Sequence, residues 1–194
     1  MERFKLERQA DYRRLLNGLR AEQVAMMPTD TVFGLSARAD SERAAARIFK
    51  IKKRDPGKAL LVLVSSLAMA RRYCHINRVQ AAALAKIWSG KRPTTIILVH
   101  RHLLPSKITA GSRLLAVRLP KSDFLRKIIR SLGVPLISTS ANLSGQPTLD
   151  AAAALTVFKR GAGPDIIIEG KVKSKRASRL IKLDSQGRIE ILRK

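Results

Sequence analysis

The feature that most constrains this chain is the alternation of short, β-branched apolar runs with longer stretches whose apolar residues recur at helical spacing. The β-rich runs are VAMMPT from Val24, LLVLV from Leu60, TTIILV from Thr94, LLAVRL from Leu114, VPLIST from Val134, DIIIE from Asp165, RLIKL from Arg179 and RIEIL from Arg188. Helical spacing occupies 7–19, 40–52, 77–88, 121–132 and 149–158. Strands interleaved with helices predict the α/β (α+β) class: a twisted mixed sheet with flanking helices. Gly133, after the fourth helical stretch, reads as a helix C-cap, and Gly111 punctuates the chain before the AVR strand. No internal repeat or low-complexity linker divides the chain, so a single domain over 1–194 is expected. After Gly161 a looser basic arm is expected, because KVKSKRASR, Lys171 to Arg179, carries five cations in nine residues.

Charge narrows the partners. With 39 Lys and Arg against 14 Asp and Glu the net charge is +25, so most cations cannot have a carboxylate neighbour and a polyanion is the leading partner class. Apolar residues are 45% of the chain, too many for a disordered basic tail. No stretch approaches the roughly 18 consecutive apolar residues of a membrane span. The opening MERFKLERQADYRR lacks the apolar core of a secretory signal, and the single Cys74 cannot form an internal disulfide, which together point to a reducing, cytoplasmic setting. Aromatic residues are only 4% of the chain, which disfavours single-strand binding by base stacking and leaves Trp88 as a packing residue.

Common site types are missing from the sequence. There is no phosphate-binding G-x-x-x-x-G-K-[ST], no G-x-G-x-x-G after a strand, no H-E-x-x-H and no paired-cysteine motif. His75, His100 and His102 are too few and scattered for a metal site, and none is expected. Three polar segments remain, each where a strand or helix ends, the place where open α/β sheets build ligand crevices. In MPTDTVFGL, Met27 to Leu35, Thr29, Asp30 and Thr31 offer hydroxyls and a carboxylate before Phe33 and Gly34 turn back into the core; a capped turn is the plain alternative. In FKIKKRDPGKALLVLV, Lys52, Lys53, Arg54 and Lys58 surround a tight turn at a helix C-terminus, where they could serve the helix dipole or grip a triphosphate. In VPLISTSANLSGQPT, Val134 to Thr148, small hydroxyl residues follow a strand and leave backbone donors open to a phosphate.

Taken together and in order, PTDTVFGL, IKKRDPGKALLVLV, AVRLP and STSANLSGQPT resemble the YrdC/TsaC family, the threonylcarbamoyl-AMP synthases, over about Pro28 to Ser178. Chain length resembles the short, single-domain type. The resemblance implies a YrdC-like twisted α/β sheet with a large positively charged concavity. It also implies a reaction in which L-threonine, bicarbonate and ATP, with Mg2+, give threonylcarbamoyl-adenylate and pyrophosphate for tRNA modification beside the anticodon. By motif, Lys52 and Arg54 correspond to the K-x-R pair at the phosphates and carbamate, and Lys58 to an ATP contact. Thr31 corresponds to a residue near threonine, and Arg118 to the group holding its carboxylate. Ser140 and Asn142 match the S-x-N pair, with Ser140 toward the nucleotide and Ser138 toward threonine. Thr148 and Arg193 transfer to ATP binding and Ser178 to threonine binding.

Two departures from the family pattern stand out. WSGKRPTT, Trp88 to Thr95, stands where relatives read W-P-G-P-x-T, and a late S-T pair becomes Ser178–Arg179. The excess charge implies contact with RNA or acidic partners. The alternative function is a non-catalytic module on the same fold that binds tRNA or double-stranded RNA. A further alternative makes another carbamoyl-adenylate, but relatives of that kind are longer and cysteine-rich.

Overall fold

Apolar side chains cover both faces of one sheet, which explains why so many strands read as unbroken apolar runs. The computed structural model describes residues 1–147, 149–158, 163–172 and 176–194. Among these, the strands are β1 (Glu2–Lys5), β2 (Ala25–Pro28), β3 (Phe33–Arg38), β4 (Leu61–Leu63), β5 (Thr94–Val99), β6 (Leu114–Arg118), β7 (Leu136–Ser140), β8 (Ile166–Glu169), β9 (Arg179–Leu183) and β10 (Ile189–Arg193). The helices are α1 (Gln9–Arg20), α2 (Glu42–Lys52), α3 (Leu67–Tyr73), α4 (Arg78–Ser89), α5 (Ser106–Thr109), α6 (Asp123–Leu132) and α7 (Ala151–Phe158). The strands form a single mixed sheet in the order β1-β8-β2-β3-β7-β4-β6-β5-β9-β10.

Strand alternation sorts side chains between two cores. Met26, Leu35, Val62, Val117, Ile137 and Ile181 join Ile48 and Phe49 of α2 and Leu84 and Trp88 of α4 on one face. Ala25, Met27, Leu63, Leu136 and Ile168 join Leu15 and Leu19 of α1 and Leu125, Ile128 and Ile129 of α6 on the other. This second face is only partly covered. Beyond α1 and α6 its strands present small or polar residues, Gly34 on β3, Thr95 on β5, Ala116 and Arg118 on β6, and Ser138 and Ser140 on β7, which border an open cleft.

The expected helices are all present within a few residues of their predicted ends. Gly133 caps α6 at φ +77°, its N–H donating to the Ile129 and Arg130 carbonyls, and Gly111 adopts φ +74° before β6. Trp88 is buried and its indole N–H donates to the Thr94 carbonyl at 3.2 Å. Three readings need correction. Phe33 and Gly34 do not merely turn back; they open the six-residue strand β3, hidden in the sequence because Gly34 and Ser36 interrupt its apolar pattern. Strand β1 lies inside the charged opening segment, where its parallel pairing with β8 overrides its polar composition. The stretch after Gly161 is not simply a loose arm. It supplies β8, inserted between β1 and β2, and the pair β9–β10 beside β5, because its apolar residues Ile166, Ile167, Ile181 and Leu183 are needed by the core. Residues 173–175 of KVKSKRASR and Thr148 lie outside the described residues.

Candidate active site

The polar segments converge on a cleft of about 330 Å³ over the uncovered part of the sheet. Thr31, Arg54, Arg118, Ser138, Ser140, Ser178 and Arg193, all singled out from the sequence, line it. Each arrives by a local cause. Thr31 sits in the β2–β3 turn, where the Thr29 hydroxyl accepts the Thr31 N–H at 3.1 Å and donates to the Val32 carbonyl at 2.7 Å, so the capped turn holds the Thr31 hydroxyl in place. Arg118 ends β6 and is 3% exposed. It donates to the Thr31 hydroxyl at 3.2 Å and pairs with Asp30 at 3.2 Å, while its Nε has no protein partner. Burial lowers the pKa of this guanidinium, and Asp30 opposes that shift.

Helix α2 stops at Lys53, whose left-handed φ of 46° redirects the chain. Arg54 then folds back, donating to the Lys58 carbonyl at 3.0 Å and the Ala59 carbonyl at 2.7 Å. Partial burial lowers its pKa, with Asp55 working the other way. Arg54 therefore does more than complement the dipole: it is braced by the turn that follows it and lines the cleft.

Lys52 is placed differently from Arg54. It is 2% exposed and lies behind the cleft wall, donating to the Ser140 carbonyl at 2.5 Å, the Asn142 carbonyl at 2.9 Å and Asn142 Oδ1 at 2.7 Å. Its own carbonyl accepts the Ser144 N–H at 2.9 Å. Burial, helped by neighbouring Arg54, pushes the Lys52 amine down to about 8. Asn142 also accepts from the Ser140 hydroxyl at 2.7 Å, so the S-x-N bend and the K-x-R segment form one hydrogen-bonded unit. Lys58 is exposed and is not among the residues lining the cleft; its carbonyl rather than its amine touches Arg54.

Sequence reasoning assigned no role to Thr95 or Asp30. Thr95 lines the cleft and exchanges a 2.7 Å hydroxyl hydrogen bond with Ser178, whose carbonyl accepts two donors of Arg193 at 3.2 and 2.9 Å. The available signal was a threonine inside an otherwise apolar strand. Asp30 lies inside the PTDT motif, but only the fold reveals its pairing with a residue 88 positions away, by subtraction of the residue numbers.

A larger groove of about 1500 Å³ adjoins the cleft and shares Thr29, Thr31 and Ala177 with it. Its walls carry Lys91 and Arg92 of the departing WSGKRPTT segment together with Lys5, Lys121, Lys171 and Lys194, which outnumber the carboxylates of Glu7, Asp30, Asp123 and Glu169 there. The motif residues meet in the smaller cleft, so that cleft is the candidate centre for chemistry. Among the described residues no group of three or more His, Cys, Asp or Glu side chains could hold a metal ion. Among the described residues no helix is long and apolar enough to cross a membrane.

The chain shares sequence and fold with known proteins. The Sua5/YciO/YrdC family model, described as telomere recombination, matches residues 17–194. The chain is 34% identical over 145 residues to a threonylcarbamoyl-AMP synthase of Sodalis glossinidius, covering 73% of this chain and 75% of that protein. It is also 34% identical to a mouse protein of the same name over 128 residues, 66% of this chain but 45% of the relative. Sua5 of P. abyssi complexed with L-threonine superposes with a TM-score of 0.84 at 28% identity, over 99% of this chain and 56% of that one. The chain thus spans about half of the longer relatives and three quarters of the bacterial one. The fold alone is shared with E. coli YciO, at TM-score 0.82 and 20% identity. With four motifs in family order, one cleft that gathers them and a family match over most of its length, the chain belongs to the Sua5/YciO/YrdC family.

Proposed function

We infer that this chain condenses L-threonine, bicarbonate and ATP into threonylcarbamoyl-AMP, releasing pyrophosphate. Bicarbonate takes up a proton and loses water to give CO2; the threonine amine adds to that CO2 and releases a proton to give a carbamate. A carbamate oxygen then attacks the α-phosphorus, the bond to the bridging oxygen breaks, and pyrophosphate leaves with that electron pair. No covalent protein nucleophile is needed; positioning and charge stabilisation carry the step. The observation that supports this reading best is Arg118, a buried guanidinium with an unpartnered Nε in the same cleft as Arg54 and the Ser138–Ser140 edge.

In this reading Arg118, Thr31, Ser138 and Ser178 hold threonine, with the Arg118 fork on its carboxylate. Arg54 and Ser140 face the phosphates and the reacting carbamate, and Arg193 and Lys58 flank the nucleotide. Thr148 keeps its sequence-based assignment to ATP. Lys52 and Asn142 act through the bend they tie together, so they are positioning residues here. Mg2+ would accompany ATP as the counter-ion of its phosphates. The protein works in the cytoplasm, and its labile product passes to tRNA-modifying partners.

The basic groove favours a second, compatible reading in which the chain itself touches tRNA. Pyrophosphate release measured with and without threonine and bicarbonate, beside Arg54→Ala, tests the enzyme. Release that needs all three substrates and falls by about a hundredfold or more in the variant supports it, the range for losing a preorganised charge. Release independent of threonine overturns it. Steep salt dependence of tRNA binding, about a thousandfold between ~50 and ~200 mM for roughly six phosphate contacts, supports direct RNA contact, and a flat profile excludes it.

A further inference from the structure

Asp30 has no task in the reaction just described, yet its environment is unusual. Its carboxylate side chain is 6% exposed, at the partition between the two cavities. One oxygen lies 3.2 Å from the Arg118 guanidinium, and the other accepts the Lys121 N–H at 2.9 Å. The partner, Arg118, is almost as deeply buried, is held on its far side by Thr31, and keeps its Nε free. Arg193 stands near enough to disfavour the Arg118 charge and reaches the same cleft from β10.

The charges around this end of the cleft can be balanced directly. Arg54, Arg118 and Arg193 bring three positive charges to the cleft, and Asp30 sets one negative charge directly against Arg118. That charge opposes a dianion at Arg118 roughly twice as strongly as a monoanionic carboxylate. Buried charge is tolerated only when matched, so the balance acts as a filter on the ligand. The contact is an ion pair rather than a hydrogen-bonded staple: neither Asp30 Oδ1 nor Arg118 Nε has a hydrogen-bond partner, so the arginine retains a buried, unused donor.

We propose that Asp30 is a specificity-determining positioning residue, which aims Arg118 and sets the amino-acid end of the cleft to accept a monoanionic carboxylate in preference to a dianion such as phosphate. The inference rests on the threonine reading above. It deepens that reading by assigning the discrimination to a residue that does not itself line the cleft. The asymmetry matters in a site that must also host a polyphosphate: without Asp30, a phosphate group could settle on Arg118 and block the amino acid.

The test is equilibrium binding of L-threonine and competition by inorganic phosphate, on wild-type protein, Asp30→Asn and Asp30→Glu. The Asn variant keeps the shape and removes the charge. Its preference for threonine over phosphate should fall at least tenfold, while ATP affinity stays within about twofold of wild type and Asp30→Glu keeps the wild-type preference. A general loss of structure would weaken threonine, phosphate and ATP together, and that pattern overturns the proposal. So does an unchanged threonine-to-phosphate ratio in Asp30→Asn. Failure of the wild-type protein to bind L-threonine at all would overturn the functional reading and the inference with it, a result distinct from either of the others.

Discussion

The Lys52 ammonium donates to Asn142 Oδ1 at 2.7 Å, joining the end of helix α2 to the bend that follows β7. Two further oxygens of the same bend share that ammonium, the Ser140 and Asn142 carbonyls. Two motifs separated by almost half the chain are therefore one mechanical unit, and a change at either is felt at both.

Lys52→Met should leave those oxygens without a donor. A stability loss of about 1–3 kcal/mol is expected from the unsatisfied acceptors, with ATP affinity reduced at least tenfold. Because the amine titrates at about 8, ATP affinity of the wild-type protein should decline as pH rises through 8, when one donor and the charge are lost. Stability runs the other way. The unfolded amine keeps its proton to about 10.4, so between about 8 and 10 the unfolded chain binds more protons and the Lys52 contribution to folding grows with pH. ATP titrations and urea denaturation at about pH 7, 8 and 9 check both signs; an ATP affinity constant over that range would contradict the latch.

Gly34 tests how tightly the cleft floor is built. A Cβ there would sit 3.1 Å from Thr29 Cγ2, 3.3 Å from the Thr139 carbonyl and 3.4 Å from Ser138 Oγ. The carbonyl belongs to the strand paired with β3 and cannot easily yield. Gly34→Ala should therefore cost about 1–2 kcal/mol, read as a lower denaturation midpoint at unchanged slope.

Asp165 clasps two distant elements, accepting the Val24 N–H at 2.8 Å and a bidentate contact from Arg47 of α2. Burial raises its pKa, but the Arg47 fork and the Val24 N–H together outweigh burial and hold the carboxyl below its usual value. A depressed carboxylate stabilises the fold above its unfolded pKa near ~4 and loses that contribution as pH falls through the lower, folded value. Asp165→Asn should accordingly lower stability at pH 7 and flatten the acid limb of a stability profile. Identical acid limbs for variant and wild type would rule out this linkage.

Cys74 is fully buried, and burial pushes its thiol up to about 12 despite the opposing pull of Arg101. The thiolate is the reactive form, so iodoacetamide at pH 8 should leave the native protein unlabelled and modify it only in denaturant. Rapid native labelling would show that this part of the core opens.

The sequence alone was enough to determine the alternation of helices and strands, the Gly133 cap, the packing role of Trp88 and the polar segments that carry the site. These depend on local preferences: residue periodicity, turn chemistry and the accumulation of hydroxyls and cations at element ends. Tertiary structure alone decided that β1 and β3 are strands, because their pairing partners, β8 and β7, compensate for charged or small residues that local propensity disfavours. It also decided that the basic C-terminal stretch closes the sheet, since the burial of Ile181 and Leu183 depends on α4, far away in the chain. The same distinction runs through the cleft. Motif residues identified Arg54 and Arg118, but the separation of Arg54 at the surface from Lys52 behind it, and the pairing of Asp30 with Arg118, depend on which strands become neighbours. Contacts of that kind have no sequence period, and only the packed sheet brings their charges within a few ångströms of one another.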